Sequence, residues 1–372
     1  MKKTLLIVAV AATALASCKK EASPLASSGD EIHFTAVSSI LTRAADVNLP
    51  TSGFYVTALK KDMDATSSEN IHFEDVHYIK EGSLYTSATK NFWPTQFNLD
   101  FYAYSPATGA SVTRTDFKTF VITANDSAAS QVDFVYASTK DWGKNGGSNG
   151  SGSVLLNFRH AQSKVILMLK NTNPGVKFMV NNVSIGNLYN RGTFTFPRSQ
   201  NTDGVNARTL EYSYWSQHRT GTNNANTAVF SQTPASSTAY SNTQAVQAGA
   251  DLIMIPQTLV AATTYASDSE NAAFNGAYIK VRYKMQSVAS NAYIVGSVDS
   301  WQDAIWPLES IQWCPGHKYT YIVDLASGGY YATNHSGSSA LDPLLAGAEV
   351  KLSNATVDTW TNVNSILVEG GV

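Results

Sequence analysis

Cysteine is nearly absent from this chain: its 372 residues contain two, Cys18 and Cys314. Cys18 falls where other chemistry is expected to consume it, so no intrachain disulfide is expected and stability has to come from packed apolar cores. Cys314, between Trp313 and Pro315, reads as a buried and inert thiol. Charge is scarce too. Asp, Glu, Lys and Arg make up 15% of residues and leave a net charge of −2, which gives no electrostatic grip on nucleic acid. No long stretch repeats apolar residues every 3.6 positions, so a helical bundle is excluded. After the first 17 residues no apolar run reaches about 18 positions, the least that a membrane-crossing helix needs.

Catalytic and metal motifs are missing as well. His33, His72, His77, His160, His218, His317 and His335 fall in no His-Glu-x-x-His or Cys/His ligand spacing. Gly146-Gly147-Ser148-Asn149-Gly150 has the letters of a nucleophile elbow but lies in a low-complexity run, where the required strand-to-helix turn is not expected. Asp62, Asp64 and Glu69 lack the glycine of a calcium loop and read as a solvated loop. His160 lies beside the most apolar strand and reads as a satisfied core or interface histidine. No enzymatic activity, metal or cofactor is expected.

What is present starts at the N-terminus. Lys2 and Lys3 precede an apolar run, Leu5 to Ala16, broken only by Thr13. This is the core of a secretory signal rather than a mature membrane span. It ends in Leu15-Ala16-Ser17-Cys18, a bacterial lipobox: a branched apolar residue, two small residues, then the cysteine that takes a diacylglycerol. Several acyl chains anchor stably where one does not, at about 0.8 kcal/mol per buried CH2. The expected mature chain therefore begins at Cys18, is lipid-anchored, and faces an extracytoplasmic space.

The rest of the chain reads as all-β. Short runs with a period of two recur: Ile32 to Val37, Phe54 to Leu59, Leu99 to Tyr104, Phe120 to Ile122, Val132 to Ala137, Val154 to Phe158, Tyr278 to Met285 and Tyr319 to Leu325. Val165 to Leu169 is apolar on both faces and belongs in the centre of a sheet. Asp141 to Ser153 is rich in Gly, Ser and Asn and reads as a linker. The expected organisation is a signal peptide over 1–17, a tether over 18–30, and two β-sandwich domains over 31–153 and 154–372.

Several of these stretches together resemble the fimbrillin-like subunits of type V pili from Bacteroidales. They are the lipobox at Cys18, the strand at Ile32 to Phe34 followed by Leu41-Thr42-Arg43-Ala44, and Phe92-Trp93-Pro94 with Leu99 to Pro106. Asp133 to Ala137, Leu156 to Val165 and Pro315 to Tyr321 complete the set. The resemblance implies two tandem transthyretin-like β-sandwich domains. It also implies a structural or adhesive pilus subunit at the outer membrane and then in the fimbrium, with other pilus subunits and a host or bacterial surface receptor as partners. Assembly would follow a cut between Arg43 and Ala44 that frees the first strand, whose groove a partner's strand then fills. The family's donor strand is C-terminal; here the candidates are Trp360, Val363, Ile366 and Val368, which do not share one clean face. Asp126-Ser127-Ala128 also fits the Asp-Ser/Thr-apolar pattern of O-glycosylation in the same bacteria, at Ser127. The alternative reading is a surface glycan-binding lipoprotein of the same architecture that does not polymerise.

The lipobox yields a direct expectation. Cys18→Ala should abolish labelling by a palmitate analogue and move the protein out of the detergent phase. Persistence of both would remove the anchor from the account.

Overall fold

The computed structural model describes residues 31–38, 53–63, 67–106, 108–144, 153–197, 212–220, 227–234, 243–346, 349–350 and 352–360. Its first nine strands are β1 (Phe34–Ser38), β2 (Phe54–Lys60), β3 (Ile71–Glu81), β4 (Leu84–Thr86), β5 (Leu99–Ser105), β6 (Val112–Arg114), β7 (Thr119–Thr123), β8 (Val135–Trp142) and β9 (Val154–His160). The next eight are β10 (Ser163–Lys170), β11 (Val176–Leu188), β12 (Arg191–Thr195), β13 (Trp215–Arg219), β14 (Ala228–Gln232), β15 (Val246–Gln247), β16 (Leu252–Met254) and β17 (Tyr278–Ser287). The last five are β18 (Tyr293–Val295), β19 (Gln302–Pro307), β20 (His317–Asp324), β21 (Tyr330–Tyr331) and β22 (Leu352–Thr359).

The all-β class expected from the period of two is what the structure shows. The strands form two groups. In the first, β1-β4-β3-β2-β5-β8-β9 close into a ring. In the second, the sheet β15-β10-β20-β22 faces the sheet β14-β11-β17-β19-β21. Val165, Leu167 and Leu169 of β10 meet Phe178, Val180 and Ile185 of β11 and Ile279, Val281 and Tyr283 of β17 in one core. β10 lies between β20 and the strands β15 and β16, which accounts for its unbroken apolar run.

A four-stranded sheet, β13-β12-β7-β6, joins the two groups. Thr119 to Thr123 ladder onto Arg191 to Thr195, so a strand before the Gly-rich stretch pairs with one well after it. The wall β5–β8 explains why. Leu99, Phe101 and Ala103 point into the ring's core with Phe34, Phe54 and Phe158. Tyr102 and Tyr104 point the other way, into the large core that holds Phe120, Phe134, Tyr136 and Phe194. Tyr104 and Phe120 lie 4.7 Å apart, and so do Tyr136 and Phe194. One sheet therefore serves two cores, and all seven residues of β5 are buried.

The structure corrects two expectations. β9, expected to open the second domain, is hydrogen-bonded to β8 and runs parallel to β1 over Phe34↔Val154 to Ser38↔Phe158. The Gly-rich stretch thus joins two antiparallel neighbours of one sheet. Its composition suits such a connection as well as it suits a linker, and composition could not separate the two. The stretch between Ser199 and Asn242, whose Asn, Thr and Ser content gives no clear alternation, holds β13 and β14, which pair separately with β12 and β11. β3 escaped the sequence reading because His72, Glu74, Asp75, His77 and Lys80 obscure its alternation.

A cut in 145–152 therefore should not release two bodies. The nicked chain should elute at the size of the intact one and separate only in denaturant. Two native peaks would show that the β7–β12 ladder and the shared core do not hold.

Candidate functional site

β1 is the strand that closes the ring, and it does so with little. Ile32, two residues before β1, and Phe34 alternate inward, both buried, with Ala36 half-buried behind them. Its main ladder is the parallel one to β9; it meets β4 at the single pair Phe34↔Tyr85. Ile32 N donates to Asn91 O at 2.8 Å, and Val154 N donates to His33 O at 2.8 Å. Glu31 pairs with Lys90 at 3.0 Å, an exposed contact worth well under about 1 kcal/mol. The grip is aromatic. The Phe34 ring, 0% exposed, meets Tyr78 at 4.6 Å and 81°, Phe101 at 5.3 Å and 86°, and Phe54 at 6.2 Å and 84°. Such edge-to-face pairs contribute about 0.5–1.5 kcal/mol each beyond area burial. Tyr85 and Phe158 back Phe54, and Trp93 backs Phe101. Burial pushes the phenols of Tyr78 and Tyr85 up, and hydrogen bonds from Asn91 and Ser87 partly oppose this at Tyr78. Both stay neutral through the ordinary tyrosine value of 10.0, so the slot is apolar at every physiological pH. Without β1 the ring would present an apolar slot flanked by the open backbone edges of β4 and β9.

The other end of the described chain lies along the second group. β22 runs antiparallel to β20 as the outer strand of its sheet, with Leu352, Ala355 and Val357 half-buried. It ends at Trp360, 2% exposed, whose backbone N–H donates to Gly316 O at 3.0 Å. Its indole lies between the His160 ring, stacked at 3.8 Å and 5°, and the Lys164 ammonium at 4.9 Å. His160 Nδ1 is 2.9 Å from Asp133 Oδ1, and Lys164 pairs with Asp251 at 3.1 Å. His160 is thus the interface histidine its sequence context suggested. Its partner Trp360 is 200 residues away in sequence, which no local pattern could reveal.

Cys18, Arg43, Ala44, Val363, Ile366 and Val368 lie outside the described residues. Ser127 is exposed at the start of a 3-10 turn, Ala128–Ser130, and its hydroxyl does not cap that turn. Asp62 lies 3.6 Å from Lys140, and Asp64 lies outside the described residues. Among the described residues no three His, Cys, Asp or Glu side chains stand together as a metal site, and no helix is long and apolar enough to cross a membrane. A shallow depression is lined by Glu74, Asp75, Thr108, Arg114, Thr115 and Asp116, with one guanidinium among three carboxylates. Arg114 contacts Glu74 at 2.5 Å and Asp75 at 3.7 Å. Burial, and then the bond that it gives to Asp75, push the Tyr104 phenol far up.

If Phe34 is the anchor of β1, Phe34→Ala should cost about 3–5 kcal/mol in urea unfolding, and Phe34→Leu clearly less. A loss for Phe34→Ala under about 1 kcal/mol would show that the slot collapses around the gap.

Comparison with known proteins agrees with this architecture. A family profile described as fimbrillin-like matches residues 42–342, a range that holds most of the groove's walls and excludes β1 and β22. No curated protein matches the chain. Among solved structures, a fimbrial protein from Bacteroides vulgatus is 12% identical, with a TM-score of 0.52, covering 89% of this chain and 99% of that one. Candidate cell adhesion proteins from Bacteroides ovatus and Bacteroides uniformis are each 15% identical. They have TM-scores of 0.47 and 0.46, with 89% of this chain covered and 97% and 100% of theirs. The Bacteroides vulgatus likeness is one of fold. By the extent of the family match, the chain belongs to the fimbrillin-like family.

Proposed function

We propose that this chain is a structural or adhesive subunit of a cell-surface fimbrium. It is exported as a lipoprotein on Cys18, held at the outer membrane, and joined to other subunits when a cut between Arg43 and Ala44 lets β1 be replaced by a strand from a partner. Family membership supports the fimbrial role. The observation that carries the assembly step is that β1 closes the ring with a short strand and two buried apolar side chains, Ile32 and Phe34. Its covalent link to β2 runs through the stretch that contains Arg43. An incoming strand would restore the ladder to β9 through its backbone and fill the slot with alternate side chains. Ser127, exposed and away from the groove, is the position we assign to an O-linked sugar. A surface receptor would be met by the assembled fimbrium rather than by the groove.

Limited trypsin digestion tests the first step. One early fragment should begin at Ala44, and Arg43→Ala should remove it. The nicked protein should retain β1 until a competing strand is added, because Phe34 is locked in place. If the first cut falls elsewhere, or if nicked protein neither exchanges strands nor oligomerises, strand replacement fails and a non-polymerising glycan-binding lipoprotein becomes the better account.

A further inference from the structure

Resting on the strand-replacement reading, we infer that the groove selects its partner strand by an aromatic ring two residues after an aliphatic one, a pattern that residues 357–372 of a second copy do not offer. The groove's shape is recorded in its present occupant. Ile32 and Phe34 point inward, and His33 and Thr35 are half-exposed between them. An incoming strand in the same register must therefore present an aliphatic residue, any residue, then a ring. The ring position is the selective one. Phe54, Tyr78 and Phe101 surround Phe34 at near right angles, between 81° and 86°. They approach it with the geometry that the charge distribution of a benzene ring favours. A branched aliphatic side chain there would forfeit those contacts and leave an unfilled space, because Phe54 and Phe101 are themselves fixed from behind by Phe158 and Trp93. A larger indole would overfill a slot that leaves the present ring 0% exposed.

The C-terminal candidates do not meet this pattern. Residues 361–372 contain no Phe, Tyr or Trp. Trp360 is the single ring in 357–372, and the positions two before and two after it are Asp358 and Asn362. Whichever way that segment ran, a polar side chain would enter the slot where Ile32 now sits. Trp360 is also held in its own chain by His160 and Lys164. Val363, Ile366 and Val368 supply aliphatic side chains but no ring.

The test uses the full chain cut once between residues 39 and 50, with three synthetic peptides in excess. The first copies residues 30–42, the second is the same peptide with Phe34→Val, and the third copies residues 357–372. Mass spectrometry follows release of the N-terminal segment and retention of each peptide. The first peptide should exchange in, and the other two should be retained about tenfold less or worse. Equal retention of the Phe34→Val peptide would overturn the ring selectivity. Equal retention of the 357–372 peptide would overturn the exclusion of that segment. Failure of the first peptide to exchange at all would overturn strand replacement itself, and this inference with it.

Discussion

The structure depends on one wall with two dry faces. β5 alternates Leu99, Phe101 and Ala103 into the ring with Tyr102 and Tyr104 into the large core. A slip of one residue would exchange every side chain between the cores, so the register has to be pinned. Asp100 does this. It is buried, 1% exposed, and one carboxylate oxygen accepts from Asp141 N at 2.9 Å while the other accepts from Asp62 N at 3.0 Å. Both donors are non-glycine residues in the left-handed region, with φ of 54° and 58°. Each ends or bulges a strand beside β5, where the ladder to β8 shifts between Leu99 and Phe101. A buried carboxylate is costly unless its oxygens are satisfied. Here both are satisfied by backbone donors from the two neighbouring segments, so that the cost supports a unique register.

That constraint separates what is fixed from what can leave. β2, β5 and β8 face both cores or border them, and none can depart without opening two hydrophobic interiors at once. β1 and β22 each face one interior. β1 contributes Ile32 and Phe34 to the ring alone, and β22 adds only half-buried side chains before Trp360. The family match, residues 42–342, contains the wall and leaves out β1 and β22.

The fold class was legible because period-two alternation is local. So was β1, whose Ile32-His33-Phe34 pattern names its own inward face. The double-sided wall was not legible, because tyrosine is amphipathic: Tyr102 and Tyr104 in the sequence suit a solvated face as well as a second core. The aromatic slot was hidden for a different reason. Its rings come from β2, β3 and β5, and β3 is masked by charged outward residues such as Glu74 and Lys80. Trp360 carried a signal, a bulky ring beyond the last folded strand, but sequence alone could not say whether it serves its own chain or another. The stacking on His160 answers that for the described structure.

Magnitudes decide how a cut could matter when it removes none of the contacts that hold β1. Two buried apolar side chains contribute about 1.5–3 kcal/mol each, and the rings around Phe34 add a smaller amount. With the backbone ladder to β9 added, that holds β1 in place but does not exclude a better-fitting strand. While the backbone between β1 and β2 is intact, however, β1 competes as an intramolecular ligand, at an effective concentration in the millimolar range for a short tether. A strand from another subunit at micromolar concentration would have to bind about a thousandfold more tightly to match that. Cutting at Arg43 leaves Phe34 in its slot but removes the advantage of the tether, so that the two strands compete on fit alone. A better-fitting strand, longer on β9 or β4 than β1 is, then wins without any change in the groove. Under the proposed function, proteolysis would thus act on the concentration term and the aromatic slot on the affinity term, so that the same Phe34 contacts would hold β1 before a cut and allow its replacement after one.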